Sequence, residues 1–241
     1  MKKMNIKKIL VGTAAGAVML GSMAIPVLAA KPANDVLVKN WFVYNRSSDF
    51  AKLWDDNKAT VLDNGGVGFT FNNVGATTWY TAYLKAHYNG DLTGKTITAN
   101  VSVTEDNATF VTRGDGSTST VGIVIKSAEG NWGVNDYWWP TNRQLLSALG
   151  TDVDIIASTS DSNRANWINI CGLPATDATI HSGPDCVGGT YPAESPYDGF
   201  TNALKNVKEV GLSFGGSGYA RGVALTGGTA SFQLNSFTVA E

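Results

Sequence analysis

Residues 96–103 alternate without a break. Ile97, Ala99, Val101 and Val103 are apolar, and Thr96, Thr98, Asn100 and Ser102 between them are polar. A period of two puts every apolar side chain on one face of an extended chain, so this segment is a half-buried strand. The pattern recurs. Val67, Phe69 and Phe71 share a face in residues 66–71, and Val121, Ile123 and Ile125 do so in residues 120–125. Val153, Ile155 and Ala157 follow suit in residues 152–157. Residues 78–86 set Trp79, Thr81 and Tyr83 against Tyr80, Ala82 and Leu84. An entry strand over residues 35–43 and one or two strands carrying Val207, Val210, Leu212 and Phe214 complete the middle of the set. In residues 229–239, Ala230, Phe232 and Leu234 are in phase while Phe237 and Val239 have slipped by one, which predicts a β-bulge.

Turn-formers separate these runs: Asp63-Asn64-Gly65-Gly66, Tyr88-Asn89-Gly90-Asp91, Arg113-Gly114-Asp115-Gly116, Gly215-Gly216-Ser217-Gly218 and Gly227-Gly228. Helix is scarce, with a short turn expected in residues 142–149 and another in 197–205. About ten strands with no interleaved helices predict an all-β, two-sheet antiparallel sandwich.

The N-terminus predicts where such a domain works. Lys2, Lys3, Lys7 and Lys8 precede an apolar, Gly/Ala-rich run over residues 9–24, and Val27-Leu28-Ala29-Ala30 ends it. That order is the signature of a secretory signal peptide cleaved after Ala29; the other reading is an uncleaved anchor. The expected organisation is a signal peptide over residues 1–29 and one domain over 30–241, secreted or at the cell surface, with no membrane span after cleavage. Loss of four lysines takes the net charge from −2 to −6. With no basic patch along the chain, nucleic acid and anionic membranes are excluded as expected partners. Cys171 and Cys186 lie in one Gly/Pro-rich stretch. In an oxidising compartment they are expected to form a disulfide, worth roughly 3 kcal/mol in the chain-entropy model; two free thiols or a metal pair are the alternatives.

Several stretches carry a resemblance. Asp91-Leu92-Thr93-Gly94-Lys95-Thr96 leads into an alternating strand, Asp136-Tyr137-Trp138-Trp139 follows a buried-looking one, and Trp167 precedes Gly172. The chain then runs through Gly211-Leu212-Ser213-Phe214-Gly215-Gly216, Gly227-Gly228-Thr229-Ala230-Ser231-Phe232 and Phe237-Thr238-Val239. Together, over residues 36–241, these resemble the jelly-roll domains of bacterial extracellular proteins that are similar to carbohydrate-binding modules. The resemblance implies one jelly-roll domain without catalysis.

Aromatic residues carry the strongest functional signal. Trp132, Tyr137, Trp138 and Trp139 fall within eight residues; Trp79, Tyr80 and Tyr83 form a second group, with Tyr191 and Tyr197 further on. Sugar rings stack their C–H faces on Trp and Tyr, while amide, carboxylate and guanidinium groups take the hydroxyls. The expected glycan platform is therefore Tyr137, Trp138 and Trp139 with Trp79 and Trp132, rimmed by Asn135, Asp136, Asn142 and Arg143. Packing alone is the competing reading. Trp138 and Trp139 are adjacent and must face opposite sides of a strand, so one is expected in the core and one exposed. Trp41, Trp54 and Trp167 stand alone and are expected to be structural.

Catalytic patterns are weak. Asp152 and Asp154 have the i, i+2 spacing of a carboxylate pair, but the inward set Val153, Ile155 and Ala157 turns them to solvent. Glu105, Glu129, Glu194 and Glu209 each fall near a turn or loop. His87, Tyr83, Tyr88 and Lys85 are close in sequence without a lyase pattern, and His181 has no obvious partner. No Gly-x-Ser-x-Gly elbow or His-Glu-x-x-His stretch occurs. No cofactor is expected. Arg113-Gly114-Asp115-Gly116 and Asp161-Ser162-Asn163 are oxygen-rich loops that would suit a structural calcium ion, although each also reads as a simple turn.

The expected function is thus a secreted, non-catalytic domain binding a polysaccharide or other glycan. A cell-surface structural or adhesion protein is the first alternative, and a polysaccharide-cleaving jelly-roll enzyme the second.

Overall fold

The computed structural model describes residues 41–47, 55–63, 65–75, 78–114, 117–127, 137–169, 174–175, 199–216 and 222–241. Among them are fifteen strands: β1 Trp41–Ser47, β2 Asp55–Lys58, β3 Thr60–Val61, β4 Val67–Thr70, β5 Trp79–Gly90, β6 Thr96–Asp106, β7 Thr109–Thr112, β8 Thr120–Ser127, β9 Tyr137–Pro140, β10 Gln144–Leu145, β11 Val153–Ser158, β12 Trp167–Asn169, β13 Val207–Gly215, β14 Val223–Thr226 and β15 Thr229–Ala240. One α-helix, α1, spans Gly199–Lys205. The strands form two antiparallel sheets, one in the order β12-β9-β8-β13-β5-β1-β2 with β10, β14 and β7 joined at its flanks, the other β11-β6-β15-β4-β3. The chain crosses between sheets at β2–β3, β4–β5, β5–β6, β6–β7, β10–β11, β11–β12 and β14–β15. A sandwich built by repeated crossing has the jelly-roll habit.

The alternating runs meet face to face. β6 sends Ile97, Ala99 and Val101 inward, and β15 sends Phe232, Leu234, Phe237 and Val239. The larger sheet answers with Trp41 and Val43, Leu84 and Ala86, Val121, Ile123 and Ile125, and Val210, Leu212 and Phe214 in the same core. Aromatic edges bridge the two layers: Trp41 meets Phe237 at 5.1 Å and Phe214 meets Phe232 at 5.0 Å, both edge to face. Helix α1 buries Phe200 against Trp138 and Trp167, with ring centroids 4.9 and 5.4 Å away. The Trp167 indole N–H donates to the Ser158 carbonyl at 2.8 Å.

Besides a register shift between Val207 and Glu209 in β13, two bulges bear on the sequence reading. In β15 the pairing to β6 jumps from Leu234 opposite Val101 to Ser236 opposite Asn100, the slip that the phase of Phe237 predicts. The extra residue, Asn235, turns outward, and its Nδ2 lies 2.9 Å from Asn100 Oδ1, 2.9 Å from Ser102 Oγ and 3.1 Å from Asp152 Oδ1. The other bulge overturns an expectation. Tyr44 pairs with Tyr83 but Asn45 pairs with Thr81, so Ala82 is the inserted residue of β5. Because Tyr44 and Asn45 point to opposite faces, Thr81 and Tyr83 do too. Thr81 stays on the core side and donates to Asn45 Oδ1 at 3.0 Å, while Tyr83 is turned outward.

The expected helical turns are present in reduced form, a 3-10 turn at Leu146–Ala148 and α1 itself. No described helix is long and apolar enough to cross a membrane. The signal segment, Trp54, Tyr191, Tyr197, Glu129, Glu194 and His181 lie outside the described residues, as do Cys171 and Cys186.

Candidate functional site on the outer face of the larger sheet

The face of the larger sheet turned away from the core is not a simple polar surface. In β1 the core takes Trp41, Val43 and Asn45, leaving Phe42, Tyr44 and Arg46 outward and half-buried. Register carries that face across the sheet. Tyr44 lies beside Tyr83, then Ser213, then Gly122; Phe42 lies beside Lys85, then Gly211, then Val124. A third row runs His87, Glu209, Lys126 and Tyr137, and Trp139 lies beside Ile168 at the far side.

These residues form a second cluster, separate from the main core, in which Ala82, Tyr83, Val124, Tyr137 and Trp139 are buried and Tyr44 and Ile168 pack against them. Three rings lie nearly parallel in series. Tyr83 and Tyr137 are 5.8 Å apart at 25°, and Tyr137 and Trp139 are 5.7 Å apart at 14°. Gly211 allows the strands to close here: a Cβ at this position would stand 2.1 Å from the Leu84 carbonyl oxygen.

Lys85 rises from β5 into this cluster. Its ammonium lies 4.5 Å from the Tyr44 ring centre, 4.6 Å from Tyr83 and 5.3 Å from Tyr137, and donates to Glu209 Oε2 at 2.7 Å. An ammonium that is 4% exposed needs such partners, since an unpaired buried charge is costly. Burial pulls the Glu209 carboxyl upward, but the charge and hydrogen bond of Lys85, with Lys126 and His87, prevail and hold it below its ordinary value. Glu209 is therefore a fixed carboxylate with no proton to donate as a catalytic acid. It is the third residue of β13, shortly after the turn at Asn206.

Arg143 covers the other end. Its side chain lies over Gly122, where a Cβ would come within 3.2 Å of both Cγ and Nη1. Nε donates to Thr120 Oγ1, Nη1 to Ser213 Oγ and Nη2 to the Ser213 carbonyl, each at 2.8 Å. Thr120 passes its own hydroxyl proton to the Gly215 carbonyl at 2.6 Å. Burial pulls the Arg143 guanidinium down to about 10, so it remains a cation at neutral pH. Burial also pushes the neighbouring Tyr83 phenol far above its usual range, against the pull of Arg46 and Arg143, so that hydroxyl stays protonated.

The structure spreads the expected platform over several places. Trp138 and Trp139 face opposite sides, as adjacent strand residues must, but neither is exposed. Trp138 enters the main core and Trp139 the outer cluster, at 3% and 1% exposure, because both sides of β9 are covered. Tyr137 is buried beside Trp139. Trp79 is half-exposed opposite Ser47, on the other side of β5 from Tyr80, which lies opposite Arg46. Asn142 is exposed and donates to the Ile156 carbonyl at 3.2 Å. Trp132, Asn135 and Asp136 lie outside the described residues. Tyr44, Arg46, Lys85 and Glu209 join the site without having been singled out as ligand contacts. Their signal in the sequence is a polar or aromatic residue at every second position of a strand, which any solvent-facing strand shares.

Of the other chemical candidates, Asp115 and Gly116 lie outside the described residues. Asp154 accepts from Asn100 Nδ2 at 2.8 Å on the exposed face of the smaller sheet, and Asp152 accepts from Asn235. Asp161 opens a 3-10 turn over Asp161–Asn166, in which Asn163 Nδ2 donates to Ser160 Oγ at 2.8 Å. Among the described residues, no three His, Cys, Asp or Glu side chains gather closely enough to hold a metal ion.

No family model matches the chain, and no curated protein matches its sequence. Among solved structures it is similar to Xylanase10C from Cellvibrio japonicus in complex with xylopentaose, at 13% identity and a TM-score of 0.40, over 85% of this chain and 27% of that one. It is also similar to a xylan-binding module, CBM15, at 14% identity and a TM-score of 0.36, over 82% of this chain and 92% of that one. The chain thus spans about a quarter of the xylanase's length. The sandwich is defined by the register of its own strands.

Proposed function

We propose that the protein is a secreted, non-catalytic glycan-binding domain whose ligand lies on the outer face of the larger sheet. One observation carries this reading. A sheet face turned away from the core holds stacked rings, a caged ammonium and a pinned guanidinium, where short polar side chains would satisfy solubility. Phe42, Tyr44 and Tyr80 are half-exposed rings on it and offer faces to sugar C–H groups. Tyr83, Tyr137 and Trp139 stiffen the floor beneath them, and Arg143, with Asn142 nearby in the chain, supplies rim donors.

A glycan array probed with the purified protein tests this. The expected result is binding to one sugar class, competed by the free sugar, with Tyr44→Ala and Tyr80→Ala each weakening affinity about tenfold and Trp138→Phe, in the core, leaving it unchanged. A blank array from folded protein overturns the proposal. It would favour the structural or adhesion reading, for which the burial of Trp41, Trp138, Trp139 and Trp167 is the supporting observation.

A further inference from the structure

We infer that the ligand of this face is an acidic glycan, and that Arg143 receives the carboxylate of one of its uronic acid residues; this rests on the glycan-binding reading above. Each bond of Arg143 goes to a neutral group, the hydroxyls of Thr120 and Ser213 and the carbonyl of Ser213. No carboxylate among the described residues pairs with it. Glu209, on the same face, is held by Lys85 at 2.7 Å with Lys126 at 3.6 Å. A guanidinium has five N–H donors, and the protein engages three of them. Half-buried cations are ordinarily neutralised within the protein. Here the described residues supply no counter-charge and leave two donors over, in a side chain already held rigid against the sheet.

The surroundings favour an anion too. Lys85, Lys126 and Arg143 are gathered on this face, with Glu209 between the two lysines, although the chain as a whole is net negative. Tyr83, placed so that both Arg46 and Arg143 act on it, remains a protonated donor. A planar carboxylate matches the fork of a guanidinium and forms charge-assisted bonds with it. The half-exposed rings of Tyr44 and Tyr80 supply the apolar surface that the pyranose carrying that carboxylate requires.

The test compares polygalacturonate and alginate with their carboxyl-reduced counterparts, in which each carboxylate has become an alcohol, and includes a sulfated galactan and neutral xylan. Binding is read by affinity electrophoresis and calorimetry on the purified protein. The expected result is binding to a uronate polymer that falls at least tenfold on carboxyl reduction and weakens with added salt. Arg143→Gln should lose it, Arg143→Lys should recover it only in part, and Lys205→Gln, on α1, should leave it unchanged. Equal binding to native and reduced polymers overturns the acidic-ligand inference and leaves the glycan reading standing. Preference for the sulfated galactan overturns the carboxylate assignment. Binding to none of the polymers overturns the inference together with the reading it rests on. The comparison of native with reduced polymer needs no variant, so a folding defect in an Arg143 substitution does not obscure the result.

Discussion

Lys85 and Glu209 meet at 2.7 Å on the outer face of the larger sheet, from adjacent strands β5 and β13, with three tyrosine rings around the ammonium. The pair closes the electrostatic account of a lysine that could not otherwise be buried there. Removing one partner leaves the other charge stranded. Glu209→Gln should therefore cost about 3–5 kcal/mol, and Lys85→Met/Glu209→Gln together less than the sum of the single changes. Denaturant midpoints of the three variants check this.

The same pair sets a pH dependence. The folded carboxyl of Glu209 titrates below its ordinary value of 4.5. A depressed carboxyl contributes stability that is present above its unfolded value and lost as pH falls through the folded one. Unfolding free energy measured from about pH 6 down to pH 2 should fall more steeply below 4.5 in the parent than in Glu209→Gln. Parallel curves would contradict the assignment.

Gly211 and Gly122 should respond differently to alanine. At Gly211 the new methyl would meet backbone at 2.1 Å, which only strand separation relieves, so a loss of about 3 kcal/mol or more is expected. At Gly122 it would meet the Arg143 side chain at 3.2 Å, which can move. Gly122→Ala should fold with little loss of stability yet bind ligand more weakly, because the guanidinium is lifted from Ser213. Thermal melts and affinity measured side by side separate the two effects.

Trp167 and Trp139 are both buried, but only Trp167 has a partner for its indole N–H, the Ser158 carbonyl at 2.8 Å. Among the described residues the Trp139 Nε1 has none. Trp167→Phe strands a buried acceptor and should cost about 1 kcal/mol more than Trp139→Phe, beyond the similar loss of ring volume. Calorimetric unfolding of the two variants decides it.

Asn235 fills the bulge of β15 and ties it to Asn100, Ser102 and Asp152. Asn235→Ala should lose about 1–2 kcal/mol without changing the denaturant slope, since the bonds are partly exposed and the fold survives without them.

By itself the sequence determined β1, β4, β5, β6, β8, β11, β13 and β15, the inward faces of β6, β8, β11 and β15, and the bulge at Asn235, but not the short strands β2, β3, β7, β10 and β14. An extended backbone writes its buried side directly into every second residue, and a slip of one residue shows as a change of phase. The bulge at Ala82 left no such mark, because Thr81 and Tyr83 are each compatible with either face. Trp138 and Trp139 were legible as residues on opposite sides of one strand, but not as residues buried on both. Burial depends on what is laid over a strand, and no local pattern records it. The outer site was decided by tertiary structure alone. Tyr44, Tyr83, Lys85, Tyr137, Arg143 and Glu209 come from separate parts of the chain and are unremarkable where they stand. Only the pairing of β1, β5, β13, β8 and β9 gathers their charges and rings onto one face of an acidic protein.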